Sequence, residues 1–310
     1  MKFSVIIPTY NRAEFLKEAI LSVLSQKKID FEIVVIDNAS NDDTELIMKE
    51  FESNKLIKYI RNETNIGMIP NWSKALYNYC NGEWVLILSD DDTLIDNYYL
   101  YKAKVLIEKE HDIVIVHANR IVKSEFKEDI IEHKLPEVCD GKWMFEHYLE
   151  NCNIMFTFVT GIFKKDIAFK VNAFQTFDVI GSDTMEFLKM SLYGKVGFIN
   201  DFVAKYRIHE DNPYFRFGIN YLLTINMETF EAPYREAKKL HLFEDKKLEK
   251  WKKRLIIQYI ESNLREILIK GKGDIKLLKE YTTKAIKLYP YSWYVFFKPK
   301  AIIRALFYGI

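Results

Sequence analysis

Four short runs dense in β-branched residues, FSVIIPTY, FEIVVID, LIKYIRN and WVLILSD, recur within the first ninety residues, each separated from the next by a stretch of helical period. That alternation constrains the fold more than any other feature of the chain. Apolar runs without polar alternation suit strands buried on both faces, as in a parallel sheet covered by helices. Between the first two runs, NRAEFLKEAILSVLSQ sets Phe15, Leu16, Ala19, Ile20, Val23 and Leu24 at helical spacing, with Asn11 as a cap. NDDTELIMKEFES and NWSKALYNYC fill the next two gaps in the same way. The order β-α-β-α-β-α-β with right-handed crossovers predicts a doubly wound α/β sheet. A chain of 310 residues, 49% hydrophobic, can bury one large core, or a core with a smaller appended unit.

Beyond His111 the pattern is mixed. DIVIVHANRIV reads as strand, GKWMFEHYLEN as helix, and FVTGIFKKDIAF as strand and turn. GSDTMEFLKMSLYG is a predicted helix opened by Ser182 or Asp183 and closed by Gly194, and KVGFINDFVAKYRIHED is strand material. After Asn212 nearly everything is helical, so residues 1–215 are expected to form one domain and 216–310 a helical C-terminal region. Cys80, Cys139 and Cys152 have no metal or CxxC spacing and read as buried free thiols. The start MKFSVIIPTY lacks the pattern of a secretory leader, and no apolar run approaches the roughly 20 residues of a membrane span. The expected location is the cytoplasm.

In doubly wound sheets ligands sit beyond the carboxyl ends of the strands. There this sequence collects PTYNR, DNASNDD, NETNIGMIPN and SDDD. Three adjacent carboxylates, Asp90, Asp91 and Asp92, repel one another unless a cation or hydrogen-bond donors neutralise them. Mg²⁺ or Mn²⁺ suits such hard oxygen ligands, commonly with substrate phosphates completing its shell; a solvated acidic turn capping the next helix is the competing reading. DNASNDDTEL is not an EF-hand, since it lacks the Gly and Glu that such a loop needs at its sixth and twelfth positions.

SVIIPTYNRAEFLKEAILSVLSQ, EIVVIDNASNDDTEL, NETNIG and GEWVLILSDDD together resemble the nucleotide-sugar-binding half of the family 2 inverting glycosyltransferases, closely over residues 3–95 and more loosely to about 212. The resemblance implies a GT-A fold: a Rossmann-like, mainly parallel sheet flanked by helices, here with a C-terminal helical extension. It implies that Pro8, Thr9 and Tyr10 wrap the nucleobase and ribose, that Asp91 binds the metal, that Asp90 faces the ribose or diphosphate, and that Asp92 assists. Many relatives carry two acids at the end of the second strand, where this chain has Asp37 and Asn38. Asn can accept from uracil or donate to cytosine, which leaves the base open: a UDP-sugar is favoured, with CDP- and dTDP-sugars as alternatives. Asn65, Gly67 and Asn71 match similar enzymes that use CDP-sugars, and Lys74 stands in for an absent Arg at the diphosphate. In IGSDTMEF, Ser182 replaces one acid of a pair and Asp183 remains as the general base; at a helix start it could equally be a cap. AKYRIHED resembles the segment that closes the site, with Arg207 for phosphate and His209 as a third metal ligand.

The implied cofactor is Mn²⁺ or Mg²⁺, and the implied partners are a nucleotide-diphosphate sugar and a saccharide or lipid-linked acceptor. Nothing points to nucleic acid. From Arg235 onward 19 Lys and Arg stand against 8 Asp and Glu, whereas the preceding residues carry 26 against 36. With the aromatics of YPYSWYVFFKPKAIIRALFYGI, this basic tail suits an anionic membrane surface; a cap packed on the catalytic body or on a second copy of the chain is the other reading. Two other functions compete. Nucleotidyl transfer predicts a Gly-rich phosphate loop after the first strand, and PTYNRAEF has no Gly; an inactive binding module predicts loss of Asp91 or Asp183, and both are present.

Overall fold

The computed structural model describes residues 1–124, 127–152, 156–175, 179–208, 218–270 and 275–297. His209 lies outside these, as do Lys298, Lys300 and Arg304 of the tail. The chain divides into two compact units, Met1–Asn212 and Pro213–Ile310.

The first unit is built on β1 (Phe3–Thr9), β2 (Phe31–Asp37), β3 (Ile57–Arg61) and β4 (Trp84–Ile87), all parallel in the order β3-β2-β1-β4. The helices α1 (Ala13–Leu24), α2 (Thr44–Lys49) and α3 (Met68–Asn78) make the crossovers. Every residue of β1 and β4 is buried, as unalternating apolar runs require. No residue of β3 is fully buried, because β3 is the sheet edge, where one flank meets water. From α1, Leu16, Ala19, Ile20 and Val23 enter the core beside Val5 and Ile7, each Leu, Ile or Val side chain contributing about 1.5–3 kcal/mol of burial.

The sheet then continues by pairings that local pattern does not reveal. After β5 (Thr93–Leu94) and α4 (Tyr99–Lys109) come the long β6 (Ile113–Lys123), β7 (Glu128–Ile131), β8 (Val138–Asp140) and α5 (Gly141–Glu146). β9 (Ile162–Lys164) inserts antiparallel between β4 and β6, pairing Phe163 with both Val85 and Ile115. After α6 (Lys165–Lys170) and α7 (Ser182–Ser191), β10 (Lys195–Arg207) runs parallel to β6 with register shifts near Ile199 and Phe202, and antiparallel to β5 and β8. The result is a mostly parallel sheet flanked by helices, in agreement with the expected GT-A-like class.

The second unit is helical, as expected: α8 (Ile219–Leu223), α9 (Glu228–Lys239), α10 (Asp245–Lys270) and α11 (Ile275–Leu288). Leu248, Trp251, Leu255, Ile256, Ile260 and Leu264 form one buried stripe of α10, and Tyr281, wholly buried on α11, donates its hydroxyl to Ile260 O at 3.2 Å. The ammonium of Lys252 sits 3.9 Å from the centre of the Tyr234 ring. Among the described residues no helix is long and apolar enough to cross a membrane.

Candidate functional site

Leu88 N donates to Ile6 O at 2.9 Å, after which the chain turns, with Asp92 N donating to Ser89 O at 3.0 Å. The turn leaves Asp90, Asp91 and Asp92 at the carboxyl edge of the sheet, all three buried. One nitrogen, Arg12 Nη1, donates to Asp90 Oδ1 at 3.2 Å and to Asp91 Oδ2 at 2.8 Å. Asp92 faces elsewhere: its Oδ1 accepts the backbone N–H of Arg207 at 2.9 Å, which ties the acid turn to the end of β10. Burial pushes the Asp90 carboxyl up to about 6 although Arg12 opposes the rise. Burial, and after it the neighbouring Asp91, raises Asp92 well above the usual carboxylate range.

Among the described residues no three acidic, imidazole or thiol side chains converge as a preformed metal cage. Two carboxylate oxygens nonetheless meet at one cationic point, Arg12 Nη1. That donor set fits Mg²⁺ or Mn²⁺, which take one or two protein carboxylates and complete their shells with water and phosphate. Asp90 and Asp91 are the residues that would hold the ion.

The other half of the rim is a polar network at the end of β2. Thr9 pairs in register with Asp37, and the ring of Tyr10 beyond it is 42% exposed. Asp37 is buried and committed inside the protein, accepting from Ser40 N at 2.8 Å, Ser40 Oγ at 2.6 Å and Tyr59 Oη at 2.8 Å. Asn38 is committed likewise. Its Nδ2 donates to Asn65 Oδ1 at 2.8 Å and Gly67 O at 3.2 Å, and its Oδ1 accepts from Asn62 Nδ2 at 3.1 Å and Ile66 N at 2.9 Å. Asn38 therefore shapes the 62–67 loop with both ends of its amide. Gly67, at φ 93°, takes the left-handed turn into α3 that a side chain would strain. Asn71 Nδ2 donates to Ile36 O, and Lys74 Nζ to Asn62 Oδ1 at 2.8 Å, so both belong to the same network.

Asp183 lies in the first turn of α7 and is not its cap: Gly181 holds that place without a side-chain bond, and Asp183 Oδ1 accepts only locally, from Thr184 N at 2.7 Å. Burial raises its carboxyl to about 6, against the lowering pull of that backbone bond and of the Arg120 guanidinium. Arg120, buried on β6, is a residue that sequence reasoning missed, as it missed Arg12. It pairs in register with Ala204, itself opposite Leu94, so it stands in the row next to the acid turn. Its charge is within electrostatic reach of Asp183, Tyr206 and Asp92. The side chain of Arg207, expected at phosphate, reaches back to α1, with Nη2 donating to Glu18 Oε2 at 2.8 Å and the guanidinium 4.9 Å from the Phe15 ring centre.

Comparison with known proteins agrees with this architecture. The chain is 30% identical over 141 residues to the poly(ribitol-phosphate) β-N-acetylglucosaminyltransferase TarS of Staphylococcus aureus (44% of this chain) and 40% identical over 126 residues to a GalNAc(5)-diNAcBac-PP-undecaprenol β-1,3-glucosyltransferase of Campylobacter jejuni (36% of this chain). It is also 27% identical over 223 residues to the abequosyltransferase RfbV of Salmonella typhimurium, 66% of this chain. The matches span 24%, 40% and 65% of those relatives' own lengths. The structure of S. aureus TarS residues 1–349 with UDP-GlcNAc superposes with a TM-score of 0.71 at 19% identity, covering 94% of this chain and 82% of that one. The mannosyltransferase PcManGT of Pyrobaculum calidifontis with GDP-Man and Mn²⁺ gives 0.58 at 16%, covering 98% and 87%. Residues 4–166, more than half of the chain, match the family described as glycosyl transferase family 2, and the chain belongs to that family.

Proposed function

We propose that the chain is a divalent-metal-assisted, inverting glycosyltransferase that moves a sugar from a nucleotide diphosphate onto a saccharide or lipid-linked acceptor in surface-glycan synthesis. The observation that carries this is that a half-buried carboxyl, Asp183, with its pKa raised to about 6, and the acid turn, whose Asp90 and Asp91 share the cation Arg12, both lie within electrostatic reach of Arg120. Asp90 and Asp91 would hold Mn²⁺ or Mg²⁺, which when bound would supply Lewis acidity to the departing diphosphate. Asp183 accepts the proton of the acceptor hydroxyl as that oxygen attacks the anomeric carbon; a pKa near the working pH serves that task, being basic enough to take the proton yet mostly ionised. Arg120 keeps Asp183 from climbing further and balances Asp92. Tyr10 offers its exposed ring to the nucleobase.

A UDP-sugar is the favoured donor, supported by the superposition on TarS with its UDP-GlcNAc, and CDP- and dTDP-sugars are the alternatives. Residues 1–215 are the catalytic domain under this reading. Residues 216–310, with their basic and aromatic surface, serve as the contact for a cytoplasmic membrane face or for a second copy of the chain. Turnover of UDP-, CDP-, GDP- and dTDP-sugars with and without Mn²⁺, with NMR of the product's anomeric configuration, tests the proposal. The expected result is metal-dependent turnover of one donor class with inversion; retention, or no turnover of any donor with metal present, refutes it.

A further inference from the structure

The acid turn already holds a cation of its own. We propose that Arg12 is a resident counter-cation of Asp90 and Asp91, which competes with the divalent ion for the same two oxygens and gives way only when a nucleotide diphosphate arrives with it. This deepens the reading above and rests on it.

A single nitrogen bridges the two carboxylates, at 3.2 Å and 2.8 Å, and a divalent ion using those oxygens would take the place of that nitrogen. Both carboxylates are buried while the guanidinium side chain is 26% exposed, so the mobile partner is the arginine. The backbone around it is pinned. Asn11 N donates to Ser40 Oγ at 2.9 Å, Asn11 Oδ1 accepts from Asn41 N at 2.7 Å, and Ala13 N donates to Asp42 Oδ2 at 2.9 Å. Anchors on both sides fix where Arg12 starts, and only its long side chain swings. Two cations at one point repel, so metal entry requires that swing. A planar guanidinium released beside an incoming diphosphate has a better partner there, since it can bond two phosphate oxygens at once. Metal alone gains the carboxylates and loses the arginine; metal with nucleotide gives the arginine somewhere to go. The device makes cation binding depend on donor binding.

Titration of Mn²⁺ into the full chain, by calorimetry or by EPR of the free ion, without nucleotide and then with UDP and with CDP, tests this on wild type, Arg12→Gln, Arg12→Lys and Asp91→Asn. Arg12→Gln is expected to bind Mn²⁺ alone about tenfold tighter than wild type and to gain less from nucleotide. Arg12→Lys, which keeps the charge but not the fork, falls between them, and Asp91→Asn loses binding. If Asp91→Asn abolishes binding while Arg12→Gln binds Mn²⁺ alone no tighter than wild type, the counter-cation role is wrong and the metal site stands. If wild type and Arg12→Gln both fail to bind Mn²⁺ with either nucleotide, the metal-site reading falls, and this inference with it. Circular dichroism of each variant shows that the comparison is between folded proteins.

Discussion

Asp183→Asn separates stability from activity in opposite directions. Burial lifts this carboxyl from an ordinary 3.8 to about 6. Between those values the folded state holds a proton that the unfolded chain has released, so folding is favoured at low pH and loses ground as pH rises through the window. Above it the penalty is complete, about 3 kcal/mol at ~1.4 kcal/mol per pH unit, and near pH 5 about half remains. Asparagine has no charge to desolvate. Solvent reaching the partly exposed carboxyl reduces the penalty, and the new amide brings N–H donors that need partners, leaving an expected gain of about 1–2 kcal/mol near pH 7. At ~2–4 °C per kcal/mol, Tm rises by about 3–6 °C, and the gain shrinks by roughly half near pH 5. Transfer activity falls by about 10²–10⁴-fold, and in wild type kcat drops tenfold per pH unit below about 6. Differential scanning calorimetry across pH and a donor-consumption assay read both effects. A variant no more stable than wild type near neutrality, or one that retains turnover, refutes the assignment of Asp183 as a half-buried base raised by desolvation.

Arg120→Met removes a charge that holds Asp183 down, so the acid limb of the rate profile is expected to move upward by about half to one pH unit in pH-rate measurements; an unmoved limb disconnects the two residues. Asn38→Asp cannot donate to Asn65 or Gly67, so it weakens UDP- and CDP-sugars alike by roughly tenfold in KM; a switch of base preference instead would mean that this side chain reads the base. Lys189→Met strips the cationic partner from Glu186, which is 0% exposed, ion-paired at 2.6 Å and left with the Phe174 N–H, and costs about 3–5 kcal/mol in denaturant unfolding; Glu186→Gln added to it restores much of the loss.

The first half of the sheet was legible because its strands bury both faces and so write their environment into consecutive residues, as FSVIIPT does. The antiparallel insertion of β9 was not, since pairing between Phe163 and Val85 joins positions far apart in sequence and leaves no local period. The acid turn was readable from its own chemistry. Its counter-ion was not: Arg12 lies 78 and 79 positions from its partners and looked like the lone basic residue of a loop. Arg120 lies inside the strand-like run DIVIVHANRIV, where nothing local marks it, and it gains meaning only once β6 lies beside β10. Asn38 was flagged from its type, but the four bonds that occupy its amide come from a loop whose shape no propensity specifies.

The placement of β9 bears on how the chain is born. β4 and β6 leave the ribosome well before residues 162–164, and until those arrive each strand presents a bare flank suited to pairing with a neighbour's. A nascent chain that lacks residues 162–164 would thus leave bare the two flanks, one on β4 and one on β6, that β9 covers in the mature sheet, and translation speed through the segment between β6 and β9 sets how long those two stay open.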